Sequence, residues 1–370
     1  MKSLAPPLQQ TDRTCVLYRG RRFSYFGGCD YYRLSSHPTI IAALVAGLKK
    51  YGLTTAASRK TTGNHFLYGQ LEKRLAGFFG TADAVLVSNG YATNLVVAQA
   101  LVGGFSHVLI DEKAHASLMD ATAFFDGPII NFPHRDTSAV SRIMERIGRQ
   151  SRPVLLTDGM FSHDGGLAPI DGYLRSLPRN AAILLDDAHG AGILGKTGKG
   201  TAEQLGVRSD RIVQTISLGK AFGVYGGAVL GARSVCDRIR DRSRLFGGNT
   251  PPPLPLVNAA LQAVRILGSD RSLPRRLQQN VQILRSELQQ TDFLVPDTPG
   301  PIMAVVPQTP AQAPRLTKQL VGQRVYPSFI RYPGGADAGY FRFAISSEHS
   351  ARQIISLARA LTGVGTAGTK

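Results

Sequence analysis

The chain has 370 residues, of which 43% are hydrophobic, and its 43 basic and 25 acidic residues give a formal net charge of +18. This length supports a large core and about two domains, and the hydrophobic content is that of an ordinary soluble protein. No apolar run reaches the ~18 residues of a membrane span, and the amino terminus lacks a signal-peptide core, so we expect a cytoplasmic protein without membrane contact.

The positive charge favours acidic partners through long-range attraction. Nucleic acid is not expected, because the arginines are dispersed and no recognition motif accompanies them. A phosphorylated cofactor, coenzyme A or an acidic carrier protein fits this charge, and a basic surface without such a partner is the alternative. The three cysteines, Cys15, Cys29 and Cys236, lack metal-ligand spacing, so we expect reduced thiols and no metal site.

Two helices come first in the chain, and each has an apolar stripe at helical spacing. The first is predicted over residues 38–50, with proline in its first turn. Such stripes face the core far more often than they serve function. The stripes are Ile41, Leu44, Val45 and Leu48 in the first helix and Leu67, Leu71, Leu75 and Phe78 in the second.

Short apolar runs then alternate with helix-like stretches over residues 84–231, which predicts a mostly parallel sheet with helical crossovers. Seven strands are predicted, at residues 84–87, 108–110, 129–132, 154–157, 183–186, 212–216 and 228–230. The proline-rich segment 251–255 interrupts this pattern. A long helix, further strands and helices to about residue 362, and a Gly/Thr-rich tail follow. We predict an N-terminal segment (1–37), a large domain (38–255) and a smaller α/β domain (256–370).

Polar residues end two successive strands of this sheet. Asp186 and His189 close one apolar run, and Lys220 follows the next. Ligands of open α/β sheets bind at the carboxyl ends of the strands. A Schiff-base cofactor needs a lysine amine to form the imine and a carboxylate to hold its pyridinium nitrogen protonated.

Each of these residues also has an ordinary explanation. A lone lysine at a strand end is more often a surface residue. Asp186 is costly in an apolar strand unless it is paired, which favours a cationic ring nitrogen, but an N-cap is the alternative, and Asp187 serves that role equally well. His189 alone would be a turn histidine. The combination favours a site.

Further loops reach the same predicted edge of the sheet. The segment 88–94 places a glycine turn between a strand and a helix, where backbone donors bind phosphate, although many such turns carry glycine. His115 and Ser162 follow two later strands. Each alone is uninformative, but together they surround one site.

Several motifs recur in the order found in one family. They lie at residues 58–64, 88–91, 115–117, 161–165, 186–190, 219–223 and 341–349. Over about residues 26–350 the chain resembles the α-oxoamine synthases, pyridoxal-phosphate (PLP) enzymes that join an amino acid to an acyl thioester with loss of carbon dioxide. The resemblance implies the α/β fold of PLP-dependent transferases of fold type I, with a mostly parallel seven-stranded sheet, helices on both faces and a smaller α/β C-terminal domain.

The resemblance also implies roles at the cofactor. Lys220 forms the Schiff base, and its freed amine then removes the substrate α-proton, while Asp186 holds the pyridine nitrogen. The residues implied at the other parts of the cofactor are His115 on the ring face, His189 and Ser162 at the phenolate oxygen, and Gly90, Tyr91 and Ser217 at the phosphate. Thr250 reaches the phosphate of the neighbouring subunit in a homodimer.

For the substrates, the resemblance implies that Arg342 holds the amino-acid carboxylate and that Arg59 lies in the acyl-site motif. The segments 58–65 and 219–224 favour the biotin-pathway branch that joins L-alanine to a pimeloyl thioester of coenzyme A or a carrier protein. A sibling that uses glycine or serine with another acyl-CoA is the alternative. Arg33 stands where the family usually has glycine, near the substrate entrance, and Gly166 stands where an acidic residue is frequent.

Two functions of other classes remain open. An aminotransferase or aldol-type lyase has the same fold, and release of free thiol from an acyl-CoA separates it from a synthase. A binding protein that has lost catalysis would use its charge on nucleic acid with strong salt dependence. The intact set of lysine, aspartate and histidine argues against that second function.

Overall fold

A computed structural model describes residues 5–148, 150–289, 298–331, 336 and 338–362; the predicted Gly/Thr-rich tail lies outside these residues. The chain divides into a smaller unit of residues 1–33, 163–165 and 272–370 and a larger unit of residues 34–162 and 166–271. Among the described residues, no helix combines the length and apolar character that crossing a membrane requires.

The smaller unit begins with a three-stranded antiparallel sheet and continues after the larger unit with helices and a second antiparallel sheet. The first sheet consists of β1 (Gln9–Gln10), β2 (Cys15–Tyr18) and β3 (Arg21–Ser24).

Arg33, which stands where the family resemblance predicts glycine, has a φ of 52°, in the left-handed region that favours glycine. Its guanidinium donates to the carbonyl of Tyr25 (2.9 Å).

The larger unit is built on a seven-stranded sheet with helices on both faces. Its helices are α1 (Pro38–Tyr51), α2 (Phe66–Phe79), α3 (Gly90–Ala100), α4 (Ala116–Ala121), α5 (Thr137–Ile147), α6 (Ile170–Ser176), α7 (Thr201–Gln204), α8 (Arg233–Arg242), α9 (Arg244–Gly248) and α10 (Leu254–Ser269). Its strands are β4 (Asp83–Val87), β5 (His107–Asp111), β6 (Ile129–Phe132), β7 (Pro153–Asp158), β8 (Ala182–Asp186), β9 (Ile212–Ser217) and β10 (Gly227–Gly231). All seven predicted strands are confirmed, each to within one residue.

The strand order is β4-β10-β9-β8-β7-β5-β6. Strands β5 to β9 pair in parallel, and β10 is antiparallel to both of its neighbours, so the sheet is mostly parallel as predicted. Alternate residues of one strand enter different hydrophobic cores: Leu184 contributes to one core, and Ile183 and Leu185 to the other. Strands that are covered on both faces are continuous apolar runs in the sequence, so their bounds can be predicted from the sequence alone.

The rest of the smaller unit has the α/β character predicted for the C-terminal domain. Its elements are α11 (Ser272–Leu288), β11 (Ile302–Val305), α12 (Gln312–Gly322), β12 (Phe329–Ile330), β13 (Tyr340–Ala344) and α13 (Ala351–Thr362). The strand order is β11-β13-β12, with both pairs antiparallel.

The unit boundaries differ from the expected domain limits at residues 37/38 and 255/256. The larger unit begins at residue 34 and extends to residue 271. It includes α10 because this helix packs on α1 and α2. The long helix expected after the proline-rich segment is α10, and a second long helix, α11, follows it.

The prediction that the stripe of α1 faces the core was wrong. Ile41, Val45 and Leu48 are exposed by 46%, 41% and 41% of their surfaces. The buried positions of α1 are Ile40 and Gly47. Gly47 lies so close to α10 that an added Cβ would be 3.1 Å from the Cα of Pro255. Periodicity identified an apolar face, but the close contact with α10 is made on a different side of the helix, at Gly47.

Candidate active site

The carboxylate of Asp186 ends β8 and is 7% exposed. Its Oδ2 accepts a hydrogen bond from Nδ2 of Asn94 (2.6 Å), and its Oδ1 accepts from the backbone N–H of Ala188 (3.1 Å). A carboxylate offers about four lone-pair positions, so this group retains capacity for a further donor. A buried anion with unused acceptor capacity suits a cationic N–H from a ligand.

Asp158 lies directly opposite Asp186, at the end of the neighbouring strand β7. It is 3% exposed and accepts from the backbone N–H of His115 (2.8 Å). Burial, together with the adjacent Asp186 carboxylate, raises the pKa of Asp158 well above its usual range. This shift favours protonation of Asp158 relative to an exposed carboxyl group, and protonation reduces the repulsion between the two carboxyl groups.

His115 is the N-cap of α4. Its Nδ1 accepts from the backbone N–H of Ser117 (3.2 Å) and lies 2.7 Å from the hydroxyl of the same serine. The ring meets that of Tyr91 edge-on, with 5.9 Å between centroids. Burial lowers the pKa of His115; the charge of Asp186 raises it, and that of Lys220 lowers it further. Asp186 and Lys220, two further members of the four predicted catalytic residues, therefore lie within electrostatic range of His115.

The half-buried Lys220 follows β9 in a tight turn. Its carbonyl accepts from the backbone N–H of Gly223 (2.9 Å), and the N–H of Leu218 donates to Gly226 (3.0 Å). Gly223 has a φ of 64°, and an added Cβ would overlap the backbone of Leu34, so glycine is required there. The turn presents Lys220 at the edge where Asp186 ends its strand.

The N-terminus of α3 lies against Ser217. Asn89 caps this helix by accepting from the backbone N–H of Ala92 (2.9 Å). A Cβ added to Gly90 would be 2.8 Å from the Cβ of Ser217, so the backbone approaches this serine as closely as only glycine permits. Backbone N–H groups at a helix start, together with a hydroxyl, suit a phosphate group. Tyr91 is 42% exposed and donates from its hydroxyl to Asp120.

Thr250 is exposed and follows Asn249, whose amide donates to the hydroxyl of Ser88 (2.9 Å). A small surface cavity is lined by Thr250 and Ser88 together with Arg59. The loop that carries Thr250 is thus tied to the segment that precedes α3.

Arg59 is bound within the larger unit. Its Nη2 donates to Oε2 of Glu72 (3.1 Å), its Nη1 pairs with the other oxygen, and its Nε donates to Asn64 (3.0 Å). The guanidinium lies 5.1 Å from the ring centroid of Tyr68 and 5.6 Å from that of Phe246. A role for Arg59 at an acyl site stays a prediction. The structure shows that its bonds to Glu72 hold the loop before α2 to that helix.

The other predicted residues lie in the two units as follows. His189 is 5% exposed in the turn after Asp186, and Ser162 is half-buried in the loop after β7. Arg342 belongs to β13 of the smaller unit, where its Nη2 contacts the sulfur of Cys29 (3.6 Å). Their roles stay predictions.

Sequence reasoning missed two buried polar residues of the site, Asn94 and Asp158. Asn94 is fully buried in α3, and its Nδ2 also donates to Ser117 (2.8 Å). Asp158 carried the signal that identified Asp186, a carboxylate at the end of an apolar strand. Asn94 carried a weaker signal, an amide in a helix whose following residues are apolar.

The site residues fit PLP on structural grounds. The carboxylate of Asp186 can accept from a pyridinium N–H, and the start of α3, packed against Ser217, forms a cradle for phosphate that a Cβ at Gly90 would fill. Lys220, the lysine expected to form the imine, lies close enough to shift the pKa of His115.

Comparison with known proteins also indicates a PLP-dependent enzyme. Curated relatives named 8-amino-7-oxononanoate synthase include those of Trichlorobacter lovleyi, 32% identical over 97% of this chain and 93% of the relative, and Geobacter sulfurreducens, 34% identical over 86% and 82%. Serine palmitoyltransferase from S. paucimobilis, solved with PLP and myriocin, has a TM-score of 0.90 at 25% identity, covering 96% of this chain and 91% of the other.

The 8-amino-7-oxononanoate synthase of Francisella tularensis also has a similar structure, with a TM-score of 0.79 at 25% identity and coverage of 92% and 97%. These findings confirm the fold type I prediction and the resemblance to 8-amino-7-oxononanoate synthase, a PLP-dependent acyltransferase. The family model of aminotransferase class I and II matches residues 26–361. The chain therefore belongs to the class I and II aminotransferase family of PLP-dependent enzymes.

Proposed function

We propose that this chain condenses L-alanine with a pimeloyl thioester of coenzyme A or a carrier protein, giving an aminoketone, carbon dioxide and free thiol for biotin biosynthesis. The supporting observation is that His115, Asp186 and Lys220 stand at or just after the carboxyl ends of the parallel strands β5, β8 and β9, in a chain whose curated relatives bear the name of this activity. We further propose that it works in the cytoplasm as a homodimer.

The residues proposed to hold PLP are those gathered at the sheet edge. Asp186 accepts from the ring nitrogen, His115 packs on the ring, and His189 and Ser162 contact the phenolate oxygen. Gly90, Tyr91 and Ser217 bind the phosphate, together with Thr250 of the neighbouring subunit. When bound, PLP supplies an electron sink for the negative charge that develops at the substrate α-carbon.

Lys220 is the proposed base. Its neutral amine takes the α-proton of the amino acid and later returns a proton to the same carbon. Between these transfers the α-carbon bonds to the acyl carbonyl carbon, the thiolate leaves, and the carboxylate departs as carbon dioxide. The low pKa of His115, caused chiefly by burial, keeps its imidazole neutral near pH 7, so it adds no competing positive charge beside Lys220.

The substrates are proposed to be held by arginine. The planar fork of Arg342 suits bidentate binding of the amino-acid carboxylate. The net charge of +18 attracts an anionic acyl-CoA or an acidic carrier protein. Arg59 is the weaker candidate for acyl recognition because its guanidinium already pairs with Glu72.

The test offers L-alanine, glycine and L-serine to the PLP-loaded protein with acyl-CoAs that include pimeloyl-CoA. We expect thiol release and an aminoketone of the corresponding mass only with L-alanine and the pimeloyl thioester. Lys220→Ala removes the imine-forming amine and the proposed base, so we expect it to abolish both the imine absorbance and turnover. Imine absorbance that persists in this variant would refute the assignment of Lys220.

A sibling activity has one structural argument in its favour. The serine palmitoyltransferase neighbours give a TM-score of 0.90, against 0.79 for the Francisella synthase. A product from L-serine and a long-chain acyl-CoA would identify this alternative. Amino-group transfer without thiol release would instead indicate an aminotransferase.

A further inference from the structure

We propose that Asn94 is a positioning residue that, through Ser117, holds His115 in the neutral tautomer protonated at Nε2, and that the same amide orients the carboxylate of Asp186. This inference deepens the proposed function and rests on it only for the roles of His115 and Asp186 toward PLP. The hydrogen bonds that support it lie entirely within the larger unit.

The amide of Asn94 has a single favourable orientation. Its Nδ2 donates both protons, one to Oδ2 of Asp186 (2.6 Å) and one to Oγ of Ser117 (2.8 Å), and its Oδ1 accepts from the hydroxyl of Thr215 (2.7 Å). Rotating the amide by 180° would set its oxygen against the carboxylate oxygen of Asp186, two acceptors without a proton between them. Asn94 is 0% exposed, so water cannot compensate for that loss.

The orientation of Asn94 determines where the hydroxyl proton of Ser117 lies. Because the Ser117 oxygen accepts from Asn94, its single proton is available for Nδ1 of His115, 2.7 Å away. The backbone N–H of Ser117 also donates to Nδ1 (3.2 Å), and a backbone N–H can only donate. Two donors converge on Nδ1, which must therefore carry the lone pair.

A neutral imidazole has one N–H, so in His115 that proton is on Nε2. In this tautomer Nε2 is the ring nitrogen that carries the proton and acts as the donor. Asn94 thus links the proposed partner of the ring nitrogen, Asp186, to the proposed ring-stacking residue, His115. Orienting partners of this kind set the tautomer of functional histidines elsewhere.

The tautomer can be read directly by ¹⁵N NMR of the full chain without PLP, labelled in its histidine rings. The chain contains eight histidines, and the His115 signals are assigned by their loss in His115→Gln. We expect the wild-type spectrum to show an unprotonated, hydrogen-bonded Nδ1 and a protonated Nε2. A protonated Nδ1 in this spectrum overturns the proposal, whether or not any variant folds.

Two variants then test the relay, which we define as the hydrogen bonds from Asn94 to Ser117 and from Ser117 to His115. Asn94→Leu keeps the approximate size of the side chain but removes both N–H donors, and Ser117→Ala removes the hydroxyl while keeping the backbone donor. We expect both to shift the Nδ1 resonance of His115, and Asn94→Leu to weaken PLP binding by about tenfold, as when other orienting partners are lost. Unchanged Nδ1 signals in folded variants would refute the relay.

Gln99→Ala provides the matched control on the same helix. Gln99 accepts from Ser243 (2.9 Å) and from the backbone of Leu245 (2.8 Å), contacts that lie outside the relay, so we expect no shift at His115. Because the NMR measurement uses protein without PLP or substrate, it is independent of the condensation assay. Failure of that assay with the expected tautomer intact would refute the proposed function and leave the relay standing.

Discussion

At the scale of single residues, two adjacent aspartates have separate tasks. Asp186 accepts from the nearby backbone of Ala188 and from Asn94, whereas Asp187 is 0% exposed and bonds to a distant segment. Asp187 accepts from the backbone N–H of Thr201 (2.9 Å), which begins α7, and from the side chains of Thr201 (2.6 Å) and Gln214 (2.7 Å). A Cβ added to any of three glycines around this carboxylate would overlap it, namely Gly159, Gly190 and Gly200.

Asp187 makes the stability of the protein depend on pH. Burial raises its pKa from 3.8 to about 7, against the opposing hydrogen bonds from Thr201 and Gln214. The folded state therefore holds this proton more tightly than the unfolded state. The resulting stabilisation is fully present below pH 3.8 and is lost as the pH rises through about 7.

We predict that Asp187→Asn reduces the loss of stability between pH 4 and pH 7. One titrating group contributes a slope of up to about 1.4 kcal/mol per pH unit in this interval. Denaturant unfolding at a series of pH values measures the slope. Asp171→Asn is the control, because Asp171 lies in an exposed pair with Arg175, and we expect it to leave the slope unchanged. An identical slope in Asp187→Asn and the wild type would contradict the assignment.

At the scale of elements, the loop before α2 is held by a buried ion pair. Arg59 and Glu72 are only 10% and 8% exposed, and Oε1 of Glu72 also accepts from the backbone N–H of Leu86 in β4 (2.8 Å). Glu72 therefore joins the loop to the edge of the large sheet. The motif for which the family resemblance implies an acyl-site role thus includes a residue that stabilises the fold.

We predict that Arg59→Ala destabilises the fold by about 3–5 kcal/mol, because it leaves the Glu72 carboxylate buried without its counter-ion. Thermal unfolding of the purified variant measures the loss. Arg175→Ala breaks only the exposed pair with Asp171 and is expected to cost less than about 1 kcal/mol. A variant of unchanged stability but weaker acyl-CoA binding would show instead that Arg59 acts mainly at the acyl site.

At the scale of the whole molecule, α1 presents an apolar surface to solvent in the single chain. Ile41, Val45 and Leu48 lie on one side of this helix, opposite the contact with α10. An apolar stripe of this kind commonly marks a protein interface. We expect a second copy of the chain to cover this stripe in the proposed homodimer.

We predict that the double substitution Val45→Glu and Leu48→Glu converts the dimer to a monomer, because it would bury two carboxylates at the interface. Light scattering during size-exclusion chromatography measures the mass. The monomer is also expected to bind PLP more weakly, since Thr250 is proposed to reach the phosphate of the other subunit. Val321→Glu, which changes an exposed valine of α12, is the control. An unchanged mass for the double variant would place the interface elsewhere.

Local composition was sufficient to predict the strands and the strand ends that carry the candidate site residues. Strand β8 is a run of Ile183, Leu184 and Leu185 that ends at a carboxylate, so its bounds and the candidate Asp186 follow from residues adjacent in sequence. The same holds for β9 and Lys220. Such features need no knowledge of distant contacts.

By itself, then, the sequence determined the seven strands and the sheet edge at which the candidate lysine, aspartate and histidine lie. Only the tertiary structure decided three other features. They are the buried side of α1, the hydrogen bond from the start of α7 to Asp187, and the hydrogen bond from Asn94 to Asp186. Asn94 and Asp186 are 92 positions apart and meet because the order β4-β10-β9-β8 brings α3 over the end of β8. The hydrophobic pattern of the sequence indicates whether a position is polar or apolar. Which residue it contacts depends on the order in which distant strands pair.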